Sequence, residues 1–279
     1  MPGTGRRPSI DPRNELHPMR RALAEVPPVL PVPDIKVWRF DAQPLNQGNT
    51  STCTAHAGVQ FIHAEPFRHR GFIPPFEFYR EVVVNDEYDD NDHEATGPIE
   101  GMQLGSSGTG VAKALQKRGL IGPYLWGTKL QDVILWVLTR GPVMIGSNWY
   151  DSMMNPTEEG FIKILNSSPG GMGHEWLLRG VDTKRGIGHA VNSWGPDWNR
   201  KAKGCRPGHF LIDLDTLDRL MREDGDAVSA IELPRTHRAI GDGANPVYPS
   251  RAAEGPLGQP RASFRAIGPD RGMEGSDAW

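Results

Sequence analysis

The chain of 279 residues predicts an α+β protein with a mainly helical half, a mainly β half and an extension at each end. Three observations carry that reading. A helical period runs from Cys53 to about Lys117. From about Val133 onward, short apolar runs bounded by Gly, Pro or Asn replace it. Finally, much of the excess of 33 Gly and 25 Pro lies toward the two ends. Helices followed by strands argue against an alternating βαβ sheet and predict two lobes, with a cleft between them as the place for a site.

In chain order, residues 1–36 form a Pro/Arg-rich extension that closes in PPVLPVP, a polyproline-like approach to the domain. The domain is expected over 37–233, with a mainly helical lobe at 37–125 and a mainly β lobe at 126–233. Thr50, Ser51 and Thr52 offer N-caps for a helix carrying Ala55, Val59 and Ile62, which Pro66 interrupts. The acidic run NDEYDDNDHE, Asn85 to Glu94, lacks the mid-loop glycine of a calcium loop and reads as a solvated loop. A further helix covers Gly110 to Arg118 and stops at Gly119. VILWVL, PVMIG, FIKIL, EWLLRGV, GHAVN and HFLIDL read mainly as strands, with Trp136, Trp149 and Trp176 in the core. Residues 234–279 have neither helical nor strand period. They repeat the string RAIG and carry Phe264 and Trp279 as stray apolar anchors, so they read as a flexible tail or one that docks on a protein partner.

Composition narrows the function. Lys+Arg 31 against Asp+Glu 34 gives a net charge of -3, without the basic excess of a nucleic-acid surface. No apolar run reaches membrane-spanning length, and the N-terminus has no apolar signal core, so neither a membrane partner nor secretion is expected. Cys53 and Cys205 are the two cysteines, too few for a disulfide scaffold. A reducing, cytoplasmic location is the expectation from the residues.

Chemistry centres on Cys53. It follows capping residues, and the positive end of a helix dipole favours a thiolate there. Gln47, six residues earlier and next to Gly48, can turn its amide toward the same space, so that amide and the Cys53 N–H would make two donors for an oxyanion. A thiolate needs an imidazole. His174, preceded by glycines and followed by an apolar strand, stands at a strand edge; His189 opens another strand; His56, one turn along from Cys53, reads as structural. Asn192 can orient an imidazole through its amide, and Trp194 can keep water from that bond. Cys205, between Lys203 and Arg206, has no accompanying base and reads as structural or incidental.

These residues resemble the papain-like cysteine peptidases. QGNTSTCTAHA is similar to that family's nucleophile segment at Gln47, Gly48, Cys53, Ala55 and Ala57; GHEWLLRGVD resembles its histidine strand; NSWGPDW reproduces its Asn-Ser-Trp-Gly-x-x-Trp motif. The order Gln, Cys, His, Asn and the separations also agree, and the resemblance spans roughly Phe40 to Leu233. It implies a papain-like two-lobe fold with the active site in the cleft. It also implies Cys53 as nucleophile, His174 as its imidazolium partner, Asn192 as orienting amide and Gln47 as oxyanion donor, acting on a polypeptide with no metal or organic cofactor. Gly108, Gly110 and Gly173 would present backbone to the substrate, beside Trp194. Two departures stand out: the family's Trp after the nucleophile is Thr54 here, and its preceding Cys is Thr50, so the usual disulfide framework is absent. The N-terminal extension is shorter than the family's inhibitory prodomain, which implies no zymogen or external control. A virus-particle location is implied only by this family resemblance. Two other readings keep parts of this picture: a catalytically silent papain-like binding module, and a Cys-His amidase or cell-wall peptidase.

Overall fold

Helix Cys53–His63 (α2) is buried at every position, and that sets the architecture: an element with no solvent face must be covered on all sides. The computed structural model describes residues 3–26, 28, 30–88, 104–165 and 169–233, with side chains throughout except at 169–172. The repeated RAIG strings, the tail at 234–279 and most of the acidic run lie outside them.

On one side α2 is covered by Pro75–Asn85 (α3), which opens with proline in its first turn, and by Gly108–Lys117 (α4). The α4 N-terminus is capped by Ser107, whose Oγ accepts from the Gly110 N–H at 3.1 Å. Gly58 is what lets α2 and α4 close, because a Cβ there would lie 2.3 Å from Val111 Cγ1. Thr52 stands at the N-cap of α2, but its hydroxyl is engaged with Thr50 and His56 and caps no backbone N–H.

The other side is a seven-stranded antiparallel sheet: Ile35–Val37 (β1), Tyr124–Gly127 (β2), Val143–Tyr150 (β3), Pro169–Asp182 (β4), Ile187–Val191 (β5), His209–Asp213 (β6) and Asp226–Ala230 (β7). Its order is β2-β7-β3-β4-β5-β6, with β1 added along β4. The long β4 packs against α2, and Trp149, Trp176 and Phe210 fill the core of the sheet side. The α+β class read from the sequence is that of the molecule.

Several element readings are corrected. VILWVL lies in a helix, Leu130–Thr139 (α5), whose buried Val133, Trp136 and Val137 recur at helical spacing. HFLIDL splits into β6 and the start of helix Leu214–Arg222 (α6), and FIKIL makes only a single bridge from Phe161 to Leu211. The N-terminal extension is folded rather than a tail. A 3-10 turn at Pro12–Leu16 leads into helix Met19–Glu25 (α1), whose Met19 and Leu23, four residues apart, enter the main core. Asp11 receives Lys113 Nζ of α4 at 2.6 Å, and Asn14 Nδ2 donates to Thr109 Oγ1 at 2.9 Å.

Candidate active site

Four chain segments meet where α2 begins. The loop at Leu45–Gln47 runs antiparallel to Ser193–Gly195: Gln47 N donates to Ser193 O at 2.9 Å and Gly195 N to Leu45 O at 2.8 Å. The Gln47 side chain completes this seam. Its Oε1 accepts from Ser193 Oγ at 2.5 Å and its Nε2 donates to Thr50 O at 2.8 Å. Asn192 immediately precedes that seam at the end of β5, and His174 lies on the neighbouring β4.

The His174 tautomer follows from its partner. Asn192 Oδ1 accepts the backbone N–H of Ser193 at 2.8 Å, which an amide NH2 could not do, so the atom 2.8 Å from His174 Nε2 is an oxygen and Nε2 carries the proton. Nδ1 is left as the lone-pair nitrogen, buried and without a hydrogen-bond partner. Two tryptophans enclose the ring. Trp194 stacks on it with centroids 4.8 Å apart, and Trp149 meets it edge-on at 4.8 Å. Trp149 reads from the sequence as core alone; its place on β3, across from β4, gives it this second duty.

Cys53 is the first residue of α2, and its sulfur lies against the backbone N–H of Glu175, the residue after His174. Sequence reasoning expects a lowered thiol pKa at this helix start; the closed structure reverses that. Burial, aided by the Glu175 carboxyl, pushes the thiol up to about 12 despite the backbone N–H groups of Glu175 and Thr54 and the nearby Arg6. Burial likewise lowers His174 to about 4, against the favourable bond from Asn192. The pair is therefore neutral at neutral pH. His56 has its own partner, Nδ1–H donating to Thr52 O at 2.9 Å, and stays structural. Cys205 is half-buried, 3.3 Å from His209 O, and burial raises it to about 11.

What covers the site is the N-terminus itself. Gly3 N donates to Gly48 O at 2.8 Å and Gly3 O accepts from Trp194 Nε1 at 2.9 Å. Gly5 N and Arg6 N both reach Gly173 O at 2.9 Å, while Ser106 N donates to Gly5 O at 3.0 Å and Arg7 N to Ser106 O at 2.7 Å. The segment is thus held along β4 on one side and the loop before α4 on the other, and under it Cys53, Gln47, His174 and Asn192 are all at 0% exposure. The sequence reads this extension as shorter than an inhibitory prodomain; its residues 3–7 nonetheless lie along β4 and the loop before α4.

Of the glycines expected to present backbone, Gly173 does so. Gly108 and Gly110 lie inside α4, where Gly110 packs against Val82 and Asp86 and Gly108 against Glu175; the backbone edge that pairs is at Ser106. Sequence reasoning does not find Arg6, Glu175 and Asp226. The one signal for them is a lone Glu between His174 and Trp176 in an apolar run. Both cysteines are free, and among the described residues no cluster of His, Cys, Asp or Glu could hold a metal ion.

No family model and no curated protein matches the sequence. Solved structures do match. Xylellain, a cysteine protease from Xylella fastidiosa, superposes with TM-score 0.53 at 17% identity over 84% of this chain and 97% of its own. Procathepsin L2 proteinase from the Tenebrio molitor larval midgut gives 0.53 at 15% identity over 73% and 69%. The ragweed pollen allergen Amb a 11, a cysteine protease in its proform, gives 0.53 at 15% over 78% and 72%. Its helices on an antiparallel sheet, with Cys53 opening α2 beside the His174 strand, make the fold of this chain that of the papain-like cysteine proteases.

Proposed function

We propose that the protein is a papain-like cysteine peptidase held closed by its own residues 3–7. The observation that carries this is His174: its Nε2 is fixed on Asn192, its Nδ1 is unpartnered, and the next residue of its strand, Glu175, has its backbone N–H directed toward the Cys53 thiol. With the segment displaced, water returns to the cleft, the burial that holds thiol and imidazole neutral is relieved, and Cys53 can pass its proton to Nδ1.

The chemistry then follows. The Cys53 thiolate adds to a peptide carbonyl, and the oxyanion is met by the Cys53 N–H and by the Gln47 amide, already clamped by Ser193 and Thr50. His174 protonates the leaving amine, and the acyl group stays on sulfur. The same imidazole deprotonates a water that releases the acid.

The test is stoichiometric labelling by an epoxysuccinyl probe, located by intact mass and peptide mapping, on wild type, Arg6→Ala and His174→Ala/Arg6→Ala chains. Labelling at Cys53 is expected to be slow in wild type, fast in Arg6→Ala and lost without His174. Cys53→Ala in the Arg6→Ala chain should abolish peptide hydrolysis while melting as its parent does; turnover that survives would refute the assignment. Equal labelling of Cys53 and Cys205, independent of His174, would favour the silent module, for which the buried, protonated thiol is the supporting observation.

A further inference from the structure

A buried acidic pocket adjoins the nucleophile. Its walls are Glu175, whose backbone N–H touches the Cys53 sulfur, Asp226 at the start of β7, and Gly146 of β3, paired with both. Both carboxyl side chains are almost fully buried, Glu175 at 0% and Asp226 at 3% exposure. Neither Glu175 oxygen has a hydrogen-bond partner, and Asp226 Oδ1 is also unpaired. Burying two carboxyl groups side by side is costly unless the space between them is meant for a cation.

That space exists because position 146 is glycine. A Cβ there would lie 2.5 Å from Arg6 Nε and 2.8 Å from both Asp226 Oδ1 and Glu175 Oε2. Arg6 occupies it now: Nη2 donates to Asp226 Oδ2 and to Asp224 O, each at 2.8 Å, while the guanidinium leaves the Glu175 oxygens unbonded. The backbone on either side of Arg6 is bonded to Gly173 O and to Ser106, as an extended polypeptide in the cleft would be.

We propose that the Glu175, Asp226 and Gly146 pocket is a specificity pocket that selects polypeptide substrates presenting an arginine side chain, and that Arg6 is its internal occupant. This rests on the peptidase reading for its consequence but not for its binding chemistry. The planar guanidinium suits a site with acceptors on more than one side, and a carboxylate-lined, water-excluded pocket rejects a leucine because its acceptors are then left unpaired.

The experiment uses the full chain carrying Arg6→Ala, with fluorogenic peptides that differ only in the side chain entering the pocket: Arg, Lys, Leu, Phe or Glu. Arg is expected to exceed Leu in kcat/KM by roughly ten- to a hundredfold, and Glu175→Gln/Asp226→Asn or Gly146→Ala to erase that preference. Leu or Phe peptides cleaved as well as Arg peptides would overturn the pocket while leaving the peptidase intact. Binding separates the two failures. Full-length Cys53→Ala/Arg6→Ala should hold a fluorescent peptide copying residues 3–9 at least about tenfold more tightly than its counterpart with Leu for the first Arg, read by polarisation. That result sustains the pocket even if no peptide is ever cleaved; equal affinity, or none for either, overturns it. Should Arg6→Ala fail to fold, Arg6→Gln, which keeps bulk at the position but removes the cation, takes its place in both readouts.

Discussion

Asn192 decides which nitrogen of His174 carries the proton. Its Oδ1 is fixed from a second direction by the Ser193 N–H, so the ring cannot turn the other tautomer toward it without losing a buried hydrogen bond. Replacing Asn192 by Ala should therefore leave substrate binding nearly unchanged and slow the chemical step. In the Arg6→Ala chain we expect kcat to fall about a hundredfold with KM within about twofold; a rise in KM at constant kcat would make Asn192 a binding residue instead. At this scale the sequence discloses the residues whose neighbours in the chain announce their chemistry: Cys53 behind a run of capping residues, His174 behind glycines, Asn192 in front of Ser193 and Trp194. It conceals those defined by distant partners. Arg6 and Asp226 lie 220 positions apart, and neither stands in a local pattern that predicts an ion pair. Nor does the sequence reveal that the thiol is raised, since a helix start argues for a lowered pKa and the opposing burial comes from elements distant in the chain.

Helix α2 meets its neighbours at the tolerance of one methyl group. Gly58 faces Val111 Cγ1 of α4, and a β-branched valine has little rotamer freedom to retreat. Gly58→Val should thus cost about 1–3 kcal/mol through overpacking, more than the small gain in helix propensity returns. Urea denaturation of the two chains measures it; an unchanged midpoint would mean that α4 shifts freely and does not hold α2 in place. The elements also show where periodicity is legible in the sequence and where it is masked. α4 appears in the sequence within two residues of its observed start, because Gly119 marks its end and the run before it, VAKALQKR, has no other breaker. α5 is hidden by its densest stretch: VILWVL alone is a continuous apolar run, and the helical period emerges only when Gln131 and Asp132 are read with it. For α1, the Pro- and Arg-rich surroundings outweigh the i, i+4 pair Met19 and Leu23, which is the part that packs.

Burial of ionisable side chains writes a pH dependence into the whole molecule. Four histidines, His56, His63, His174 and His209, are each lowered to about 4, in every case chiefly by burial. The unfolded chain binds protons at these rings below about 6.5 while the folded chain does not, so their contribution to stability is complete above that pH and is lost as pH falls toward 4. Glu175 and Glu87 act in the opposite sense. Both are raised by burial, so the folded chain takes up their protons first and they favour it as pH falls. His189 is also lowered, and Asp11, Glu159 and Glu223 are held below the usual carboxylate range, so the balance is a net loss on acidification. A tenfold change in proton affinity is worth about 1.4 kcal/mol, so protonating even one such ring is felt against the roughly 5–15 kcal/mol typical of a folded domain. Thermal melts should show Tm falling from about pH 7 to about 4.5, most steeply below about 6. One of the four rings is linked to the N-terminal segment: Trp194, stacked on His174, donates its Nε1–H to Gly3 O. Releasing that segment by Arg6→Ala should return His174 toward its ordinary pKa and remove one histidine's share of the slope. A wild-type Tm that stays level or rises on acidification would contradict the burial of these rings, and equal slopes in the two chains would mean that the segment is not what keeps His174 dry.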